Sequence, residues 1–302
     1  VAFKIYYPSS GIYHKHTYMK IIVLILLVLL TVSTAFAQRQ ADNWLFGEGA
    51  GVSFRNGSAT PISGRMNTQE GCASISDKKN GQLLFYTNGD TVWNANGSII
   101  NKGLFGGESS SQSAIIVPIP NQADQYYIIT APDLTSGANR ETGMFYSIVK
   151  IQPDNWPPVI IQKNVSLLDD ACERIACTQD FTKTGYWVVV QHRTKFQFYA
   201  YHITAFGIGN PVISSFQPPN KIPVNDRDAG CMKISPNGKK LATSTAFMGY
   251  LYLFDFDNST GNVSNILDLL PLPKPTSPPV EAYGLSFSPD NSKLYCFHRI
   301  EN

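Results

Sequence analysis

Polar residues recur just before five of the strands that the sequence predicts. Four of the five positions carry a carboxylate, and the set is Glu70, Gln112, Glu173, Asp228 and Glu281. Carboxylate oxygens suit Ca²⁺, which takes roughly six to eight oxygen ligands. Like charges at one place raise one another's pKa unless a cation, a basic neighbour or open water compensates. The five positions are therefore the candidate ligand-binding site, for Ca²⁺ or for a cationic group.

Two other interpretations of these residues stay open. They can be ordinary loop residues that hydrogen-bond to turn backbone or to water. They can also be neutralised locally, because Arg174 follows Glu173 and Arg227 precedes Asp228. The sequence alone does not provide the convergent geometry that a Ca²⁺ site needs.

Familiar catalytic motifs are missing from the chain. It has no Gly-x-Ser-x-Gly, His-Glu-x-x-His or phosphate-binding loop. The run Asp255–Gly261 is similar to a calcium loop but lacks the glycine at its sixth position and a glutamate at its twelfth, which favours a turn closed by Gly261. His192 and Arg193 follow a strand and could touch a ligand, but no acid or nucleophile is paired with them in sequence.

A repeated strand–turn–strand pattern must position these residues. Gly230–Asn265 contains three short apolar or alternating pieces separated by turn residues, which predicts successive antiparallel strands. The pattern returns at Tyr283–Phe297. Weaker copies precede it at Gly71–Thr87, Ser113–Thr130 and Arg174–Gln191.

The spacing of the copies predicts the fold. The second strands are marked by Leu84, Tyr127, Trp187, Leu241 and Leu294, at spacings of 43, 60, 54 and 53 residues. Repeats of about 40–55 residues built from short strands are typical of a β-propeller. We therefore predict an all-β propeller of four-stranded blades of about 50 residues each, with four blades and a half blade present. The first strand of each blade should be innermost, so the five polar positions should line one mouth of the central channel.

Composition agrees with this class and excludes others. The 302 residues are 15% charged and 12% aromatic, with 23 Gly and 19 Pro, as in a turn-rich β protein. The net charge of +2 gives no electrostatic basis for binding nucleic acid.

The start of the chain predicts export. Residues 19–37 hold a charged start, an apolar core and a small-residue site at Ala35 and Ala37, as in a secretory signal peptide. The apolar run Ile21–Leu30 is too short to span a membrane comfortably. Residues 1–18 are interpreted as an unstructured upstream extension, and residues 38–302 as the propeller. The chain stops two strands into the last blade, so we expect either a truncated propeller or a ring closed by the strands in 43–62.

Seven stretches together resemble one family. They are Asn43–Phe54, Asn67–Ser76, Gly81–Gly97, Ser109–Pro120, Met232–Ala242, Leu253–Asn265 and Tyr283–Tyr295. In this order they are similar to the N-terminal propeller region of large Bacteroidetes surface proteins, described as gliding-motility-associated or as carrying a type B sorting domain of the type IX secretion system. Such proteins usually continue into immunoglobulin-like or PKD-like domains and a sorting domain, so the resemblance implies further C-terminal domains. It supplies no catalytic residues.

The function expected from these observations is non-catalytic recognition or adhesion outside the cell or on its outer surface. A protein or glycan would bind one propeller face, with no cofactor other than the candidate Ca²⁺ and no membrane span after signal cleavage. One alternative is a lactonase-like propeller hydrolase with a metal at the channel mouth. Another is a structural spacer. Lactone turnover together with Ca²⁺ binding would favour the hydrolase, and neither would occur in a spacer.

Signal cleavage gives a first prediction. The mature chain should begin at Gln38, because Ala35 and Ala37 occupy the small-residue positions that signal peptidase requires. Mass spectrometry of the exported protein checks this. An intact N-terminus at Met19 would contradict it.

Overall fold

The structure is a computed structural model that describes residues 39–134, 141–154, 156–219, 228–246, 249–270 and 280–300, without the side chains of 280, 281 and 298–300. The predicted upstream extension and signal peptide lie outside the described residues. Within these ranges no helix has the length and apolar character to cross a membrane.

Twenty-two strands and one short 3-10 helix, Arg39–Ala41, make up the described fold. The first sheet contains β1 (Asn43–Phe46), β2 (Ala50–Ser53) and β3 (Thr60–Ser63). The second contains β4 (Ala73–Ser76), β5 (Leu83–Thr87), β6 (Val92–Asn94) and β7 (Ile99–Asn101). The third contains β8 (Ala114–Pro118), β9 (Gln125–Thr130), β10 (Met144–Lys150) and β11 (Val159–Leu168).

The remaining three sheets follow in chain order. The fourth contains β12 (Ala171–Gln179), β13 (Tyr186–His192), β14 (Gln197–Thr204), β15 (Gly207–Ile208) and β16 (Val212–Ser215), with β15 and β16 both paired to β14. The fifth contains β17 (Met232–Ile234), β18 (Lys240–Ser244), β19 (Leu251–Asp257) and β20 (Asn262–Asp268). The last contains β21 (Val280–Phe287) and β22 (Leu294–Ile300).

Apart from β16, which pairs with β14, each sheet is an antiparallel meander of strands that are consecutive in the chain, and short turns connect many of them. The Ser-Pro-Asn-Gly turn between β17 and β18 is an example of a turn that its sequence specifies. Gly238 has φ +69°, and a Cβ there would lie 2.5 Å from the side-chain amide of Asn258. Only glycine fits both the backbone conformation and the space.

Apolar side chains join the sheets face to face. One buried cluster joins the third sheet to the fourth through residues such as Ile129 and Val190, and another joins the fourth to the fifth through Phe198 and Phe254. The first strands β4, β8, β12, β17 and β21 lie beside one another in that order. A single meander cannot cover both of its faces, so stacking around an axis supplies the core. The all-β prediction is confirmed, three of the six described sheets have the predicted four strands, and the arrangement is that of a β-propeller.

Two strand starts differ from the prediction. β12 begins at Ala171 rather than after Glu173, and β21 begins at Val280 rather than at Gly284. In both strands the pairing register shifts near the start, between Ala171 and Ile175 and between Ala282 and Leu285. Bulges of this kind extend a ladder past the point where simple alternation ends, so Glu173 and Glu281 lie inside strands and not in the loops before them.

The strands predicted in 43–62 are present, as the sheet β1–β2–β3. Within the described ranges this sheet is separate from the β21–β22 sheet. It packs on β4 instead, where Leu45 contributes to a cluster with Tyr86 and Trp93.

The interface between the fourth and fifth sheets generates a stability prediction. Phe198 is fully buried, with its ring centroid 4.9 Å from that of Phe216 and 5.0 Å from that of Phe254. Phe198→Ala should lower the free energy of unfolding by about 3–5 kcal/mol, because it removes a large buried ring and leaves a cavity. Chemical denaturation measures the loss.

Phe206→Ala is the matched control, since Phe206 is fully exposed in the turn between β14 and β15. It should change the free energy of unfolding by less than about 0.5 kcal/mol. Equal effects of the two substitutions would contradict the assigned packing.

Candidate functional site

Backbone hydrogen bonds connect the starts of three neighbouring sheets at the candidate site. The N–H of Gln112 donates to the carbonyl of Glu173 at 3.2 Å, and the N–H of Glu173 donates to the carbonyl of Asp228 at 3.0 Å. The structure therefore brings these three predicted residues into direct contact. The fifth predicted residue, Glu281, lies in β21, and its side chain is outside the described residues.

Glu173 is fully buried, and its carboxylate holds two loops. One oxygen, Oε2, accepts from the N–H of Ser111 at 2.9 Å and from the Ser111 hydroxyl at 2.8 Å. The other, Oε1, accepts from the N–H of Leu134 at 2.8 Å. Burial raises the pKa of Glu173, against the opposing effect of these hydrogen bonds and with a further rise from the charge of Glu70.

Gln112 acts as a bridge rather than as a free ligand group. Its Oε1 accepts from the N–H of Met232 at 2.8 Å and from the N–H of Ile175 at 3.3 Å. Its Nε2 donates to the carbonyl of Met232 at 3.3 Å. The amide thus satisfies backbone groups in β12 and β17, which is a structural role, and its predicted ligand-binding role stays a prediction.

Asp228 is buried and neutralised. Both of its oxygens accept from the Arg193 guanidinium, at 2.9 Å from Nε and 3.1 Å from Nη2. Local neutralisation was one of the two open interpretations, but the cation is Arg193, which lies in the turn after β13, 35 positions before Asp228. Arg227 lies outside the described residues, and Arg174 donates through Nη1 to the Thr243 hydroxyl and the Ser244 carbonyl.

Glu70 differs from the other acids because its side chain reaches solvent. Surrounding residues nevertheless withdraw water from the carboxyl and raise its pKa, and the charge of Asp133 raises it further. An interaction with the Tyr283 phenol acts in the opposite direction. Glu70 is therefore an accessible carboxylate with more than ordinary basicity.

Tyr283 contributes the phenol of this site. Its hydroxyl forms no hydrogen bond of ordinary geometry within the described residues, yet it faces the Ser111 and Glu70 side chains closely enough to affect its pKa. Burial and the charges of Glu70 and Glu173 raise the pKa of Tyr283, so the phenol stays protonated at neutral pH. We call Glu70, Ser111, Glu173 and Tyr283 the mouth cluster.

Sequence reasoning found the two acids of the mouth cluster and missed Ser111 and Tyr283. Ser111 adjoins Gln112, but the run Ser109–Ser111 gives no indication which hydroxyl meets Glu173, 62 positions away. Tyr283 stands at the start of a repeat copy, and nothing in the sequence marks its hydroxyl as part of the site. Only the stacking of sheets places these groups together.

The described acids do not fit a calcium site. Both oxygens of Glu173 already accept from N–H or O–H donors, and both oxygens of Asp228 face a guanidinium. A cation at either carboxylate would therefore meet the partial or full positive charge of these hydrogen-bond donors. In the described part of the chain no three His, Cys, Asp or Glu side chains gather as metal ligands. The predicted Ca²⁺ ring is not formed by these residues.

The other two candidates also have structural roles. His192 is buried, and its Nδ1 accepts from the N–H of Thr194 at 3.3 Å. Asp257 closes the turn before Gly261 by accepting from the Ser259 N–H at 2.9 Å and from the Thr260 hydroxyl at 2.9 Å. The interpretation of Asp255–Gly261 as a turn is confirmed.

The chain was compared with known proteins. No family model and no curated protein matches it. Among solved structures it is similar to the periplasmic gluconolactonase PpgL of Pseudomonas aeruginosa, with 12% identity, a TM-score of 0.49, and coverage of 82% of this chain and 69% of that one. A gluconolactonase from Xanthomonas campestris has 15% identity, a TM-score of 0.40, and coverage of 82% and 75%. The Dos1 propeller has 9% identity, a TM-score of 0.39, and coverage of 82% and 70%.

The sequence predicted a non-catalytic recognition or adhesion module and no enzyme. Against these similar solved structures, that prediction is wrong. The first two structures are lactonases, whereas the adhesion prediction excluded catalysis. Likeness at this level concerns the fold, so chemistry in this chain has to be derived from its own side chains. The mouth cluster contains an accessible carboxylate of raised pKa beside a protonated phenol, and such a pair can take part in general acid–base catalysis.

The buried carboxyl of Glu173 generates a pH prediction. Its pKa is above the ordinary 4.5, so the folded state holds its proton to higher pH than the unfolded state does. Its contribution to the free energy of unfolding is therefore lost as the pH rises from about 4.5. The stability of the wild type relative to Glu173→Gln should fall between about pH 4 and pH 7.

Urea denaturation across that range measures this difference. Glu48→Gln, which removes an exposed carboxyl in the β1–β2 turn, is the control. A difference for Glu173→Gln that is flat or that rises with pH would show that the hydrogen bonds from Ser111 and Leu134 outweigh burial.

Proposed function

We propose that this protein is a hydrolase that opens a small cyclic ester at the mouth cluster, with Glu70 as the general base. The observation that carries the proposal is the pairing of an accessible carboxylate of raised pKa with a protonated phenol beside it. A general base works best when its pKa lies near the working pH. Burial and nearby negative charges can raise the pKa of a carboxyl group towards that pH.

Glu70 is the residue proposed as the general base, because in the mouth cluster it is the carboxyl that is both exposed to solvent and raised in pKa. In the proposed reaction its carboxylate takes a proton from water as the water oxygen attacks the ester carbonyl carbon. The ring C–O bond then breaks, and the departing oxygen takes that proton back from Glu70. The product is an open-chain hydroxy acid, and all atoms come from the ester and one water.

Tyr283 is the residue proposed to donate a hydrogen bond that stabilises the transition state. Its hydroxyl faces Glu70, and its pKa is raised, so it keeps its proton for donation. A donor of this kind can stabilise the oxyanion that develops on the carbonyl oxygen. The Tyr283 hydroxyl is itself covered from solvent and makes no hydrogen bond of ordinary geometry among the described residues, so this role requires the ester to bind directly against it.

Glu173 suits a positioning role. It is fully buried and holds Ser111 and Leu134 beside Glu70. Its negative charge also raises the pKa of Tyr283. The same charge, with those of Glu70 and Asp133, disfavours a phosphorylated or otherwise anionic substrate. A neutral ester is therefore the substrate class proposed.

No metal enters this mechanism, since Glu173 and Asp228 are occupied by other donors. We also propose, from the sequence, that the sheets form four blades and a half blade and that the protein is exported. The relation to the gliding-motility-associated surface proteins remains a proposal that rests on the seven motifs alone.

The prediction for the proposed function concerns Glu70. Glu70→Gln should lower kcat for hydrolysis of a neutral δ-lactone about 10²–10⁴-fold, the usual contribution of a general base. In the wild type, log kcat should rise with pH up to the pKa of Glu70, which lies above 4.5, and then level off. Glu70→Gln should lose this dependence. A pH-stat assay of acid release measures both.

Glu48→Gln is the control, and it should keep wild-type kcat because its carboxyl lies outside the mouth cluster. Tyr283→Phe should lower kcat more than it changes KM, since the phenol acts in the transition state. Chelation with EDTA should leave the rate unchanged. Loss of activity on chelation, or full activity in Glu70→Gln, would refute this mechanism.

A further inference from the structure

A cleft of about 320 Å³ lies at the end of the second sheet, near the mouth cluster but built from other residues. Arg65 and Asn67 reach it from the segment between β3 and β4, and Glu108 from the loop between β7 and β8. Asp90 and Trp93 line it from the turn between β5 and β6 and from β6. Its volume is in the range of small-molecule sites.

Most of the polar groups in this cleft are available to a ligand. Arg65 is exposed, and its guanidinium has no hydrogen bond or ion pair among the described residues; the same is true of the carboxylate of Glu108 and the amide of Asn67. Asp90 uses one oxygen, which accepts from the Thr91 hydroxyl at 2.8 Å, and the other remains available. The set therefore mixes donors and acceptors and is not simply acidic.

Trp93 is the observation that points to a ligand. The residue is 7% exposed and lines the cleft, yet its indole N–H donates no hydrogen bond to any described residue. The N–H is not among the fully buried unsatisfied groups either, so it keeps some contact with solvent, and the cleft is a solvent space that Trp93 lines. Buried indole N–H groups usually find a partner, and here the cleft is where that partner would be.

The cleft is held in shape by its own packing. Trp93 stacks on Tyr86, with ring centroids 5.5 Å apart and an angle of 11° between the planes. The hydroxyl of Tyr86 accepts from the N–H of Arg65 at 2.9 Å. The side chain of Asn88 fixes the turn, since its Oδ1 accepts from the Asp90 and Thr91 N–H groups at 3.1 and 2.9 Å. Preorganised groups lose little conformational freedom on binding.

The pattern of charge indicates the ligand class. One guanidinium opposes two carboxylates, so an anionic ligand is disfavoured while a neutral ligand meets both donors and acceptors. Planar polar side chains beside an aromatic ring suit neighbouring hydroxyl groups on a ring, each of which donates and accepts. We infer that this cleft is an accessory binding site for a single neutral polyhydroxylated ring, such as a pyranose. This inference goes beyond ester hydrolysis and does not depend on it.

The test uses the mature full chain and four neutral sugars: glucose, galactose, mannose and N-acetylglucosamine. Each is titrated up to about 50 mM, which covers millimolar affinity, and followed by saturation-transfer NMR. At least one sugar should bind, and glucuronate should bind more weakly than glucose. Absence of binding by all four, or tighter binding of glucuronate, would overturn the inference.

Two substitutions locate the binding. Trp93→Phe keeps an aromatic ring on Tyr86 but removes the N–H together with part of the indole, so it should weaken the best sugar about fivefold or more, since at least one neutral hydrogen bond is lost. Arg65→Gln should weaken it about tenfold or more, because a charged donor is lost. Trp156→Phe is the matched control, since Trp156 is 70% exposed and lies outside the cleft.

If both cleft variants bind the sugar as the wild type does, the cleft is not the site. The thermal midpoint of Arg65→Gln should match that of the wild type because Arg65 is exposed, so its sugar binding keeps the test decisive if the buried substitution Trp93→Phe lowers stability. Glu70→Gln should bind the sugar normally. Failure of hydrolysis therefore leaves this inference standing, and loss of sugar binding leaves the hydrolase proposal standing.

Discussion

The buried carboxylate of Glu173 is the interaction on which the site depends. It holds the N–H and hydroxyl of Ser111, and it also holds the N–H of Leu134. The backbone of Glu173 connects that of Gln112 to that of Asp228. A buried charge is tolerated only when hydrogen bonds surround it. The carboxylate therefore holds two loops of the third sheet against the fourth, and the backbone of the same residue adds the start of the fifth.

Environment separates the acids of the site into different roles. Asp228 is paired with Arg193, Glu173 is enclosed by donors, and Glu70 alone is open to solvent. Residues of similar type at equivalent positions of a repeat thus differ in chemistry. The repeat places them, and the residues brought in from neighbouring sheets decide which acid can exchange a proton.

The repeat made much of the fold predictable. The periodic turn motifs, such as Ser235–Gly238, and the alternation in strands such as β19 indicate short antiparallel strands directly. The backbone contacts among Gln112, Glu173 and Asp228 agree with their equivalent positions in the repeat. The bulged starts of β12 and β21 did not follow, because a bulge breaks the alternation on which strand boundaries are read.

The partners of the site residues were out of reach for a different reason. Arg193 meets Asp228 across 35 positions, and Gln112 meets Met232 across 120. Such pairs depend on how the sheets stack, which no local pattern encodes. Gln112 is instructive, because a polar side chain beside acids suggested a ligand group. Buried backbone N–H groups require acceptors, and the amide of Gln112 supplies one to two different strands. A polar residue near a propeller axis therefore has to be tested first against the backbone groups around it, and only those left over, here Glu70 and Tyr283, are available for chemistry.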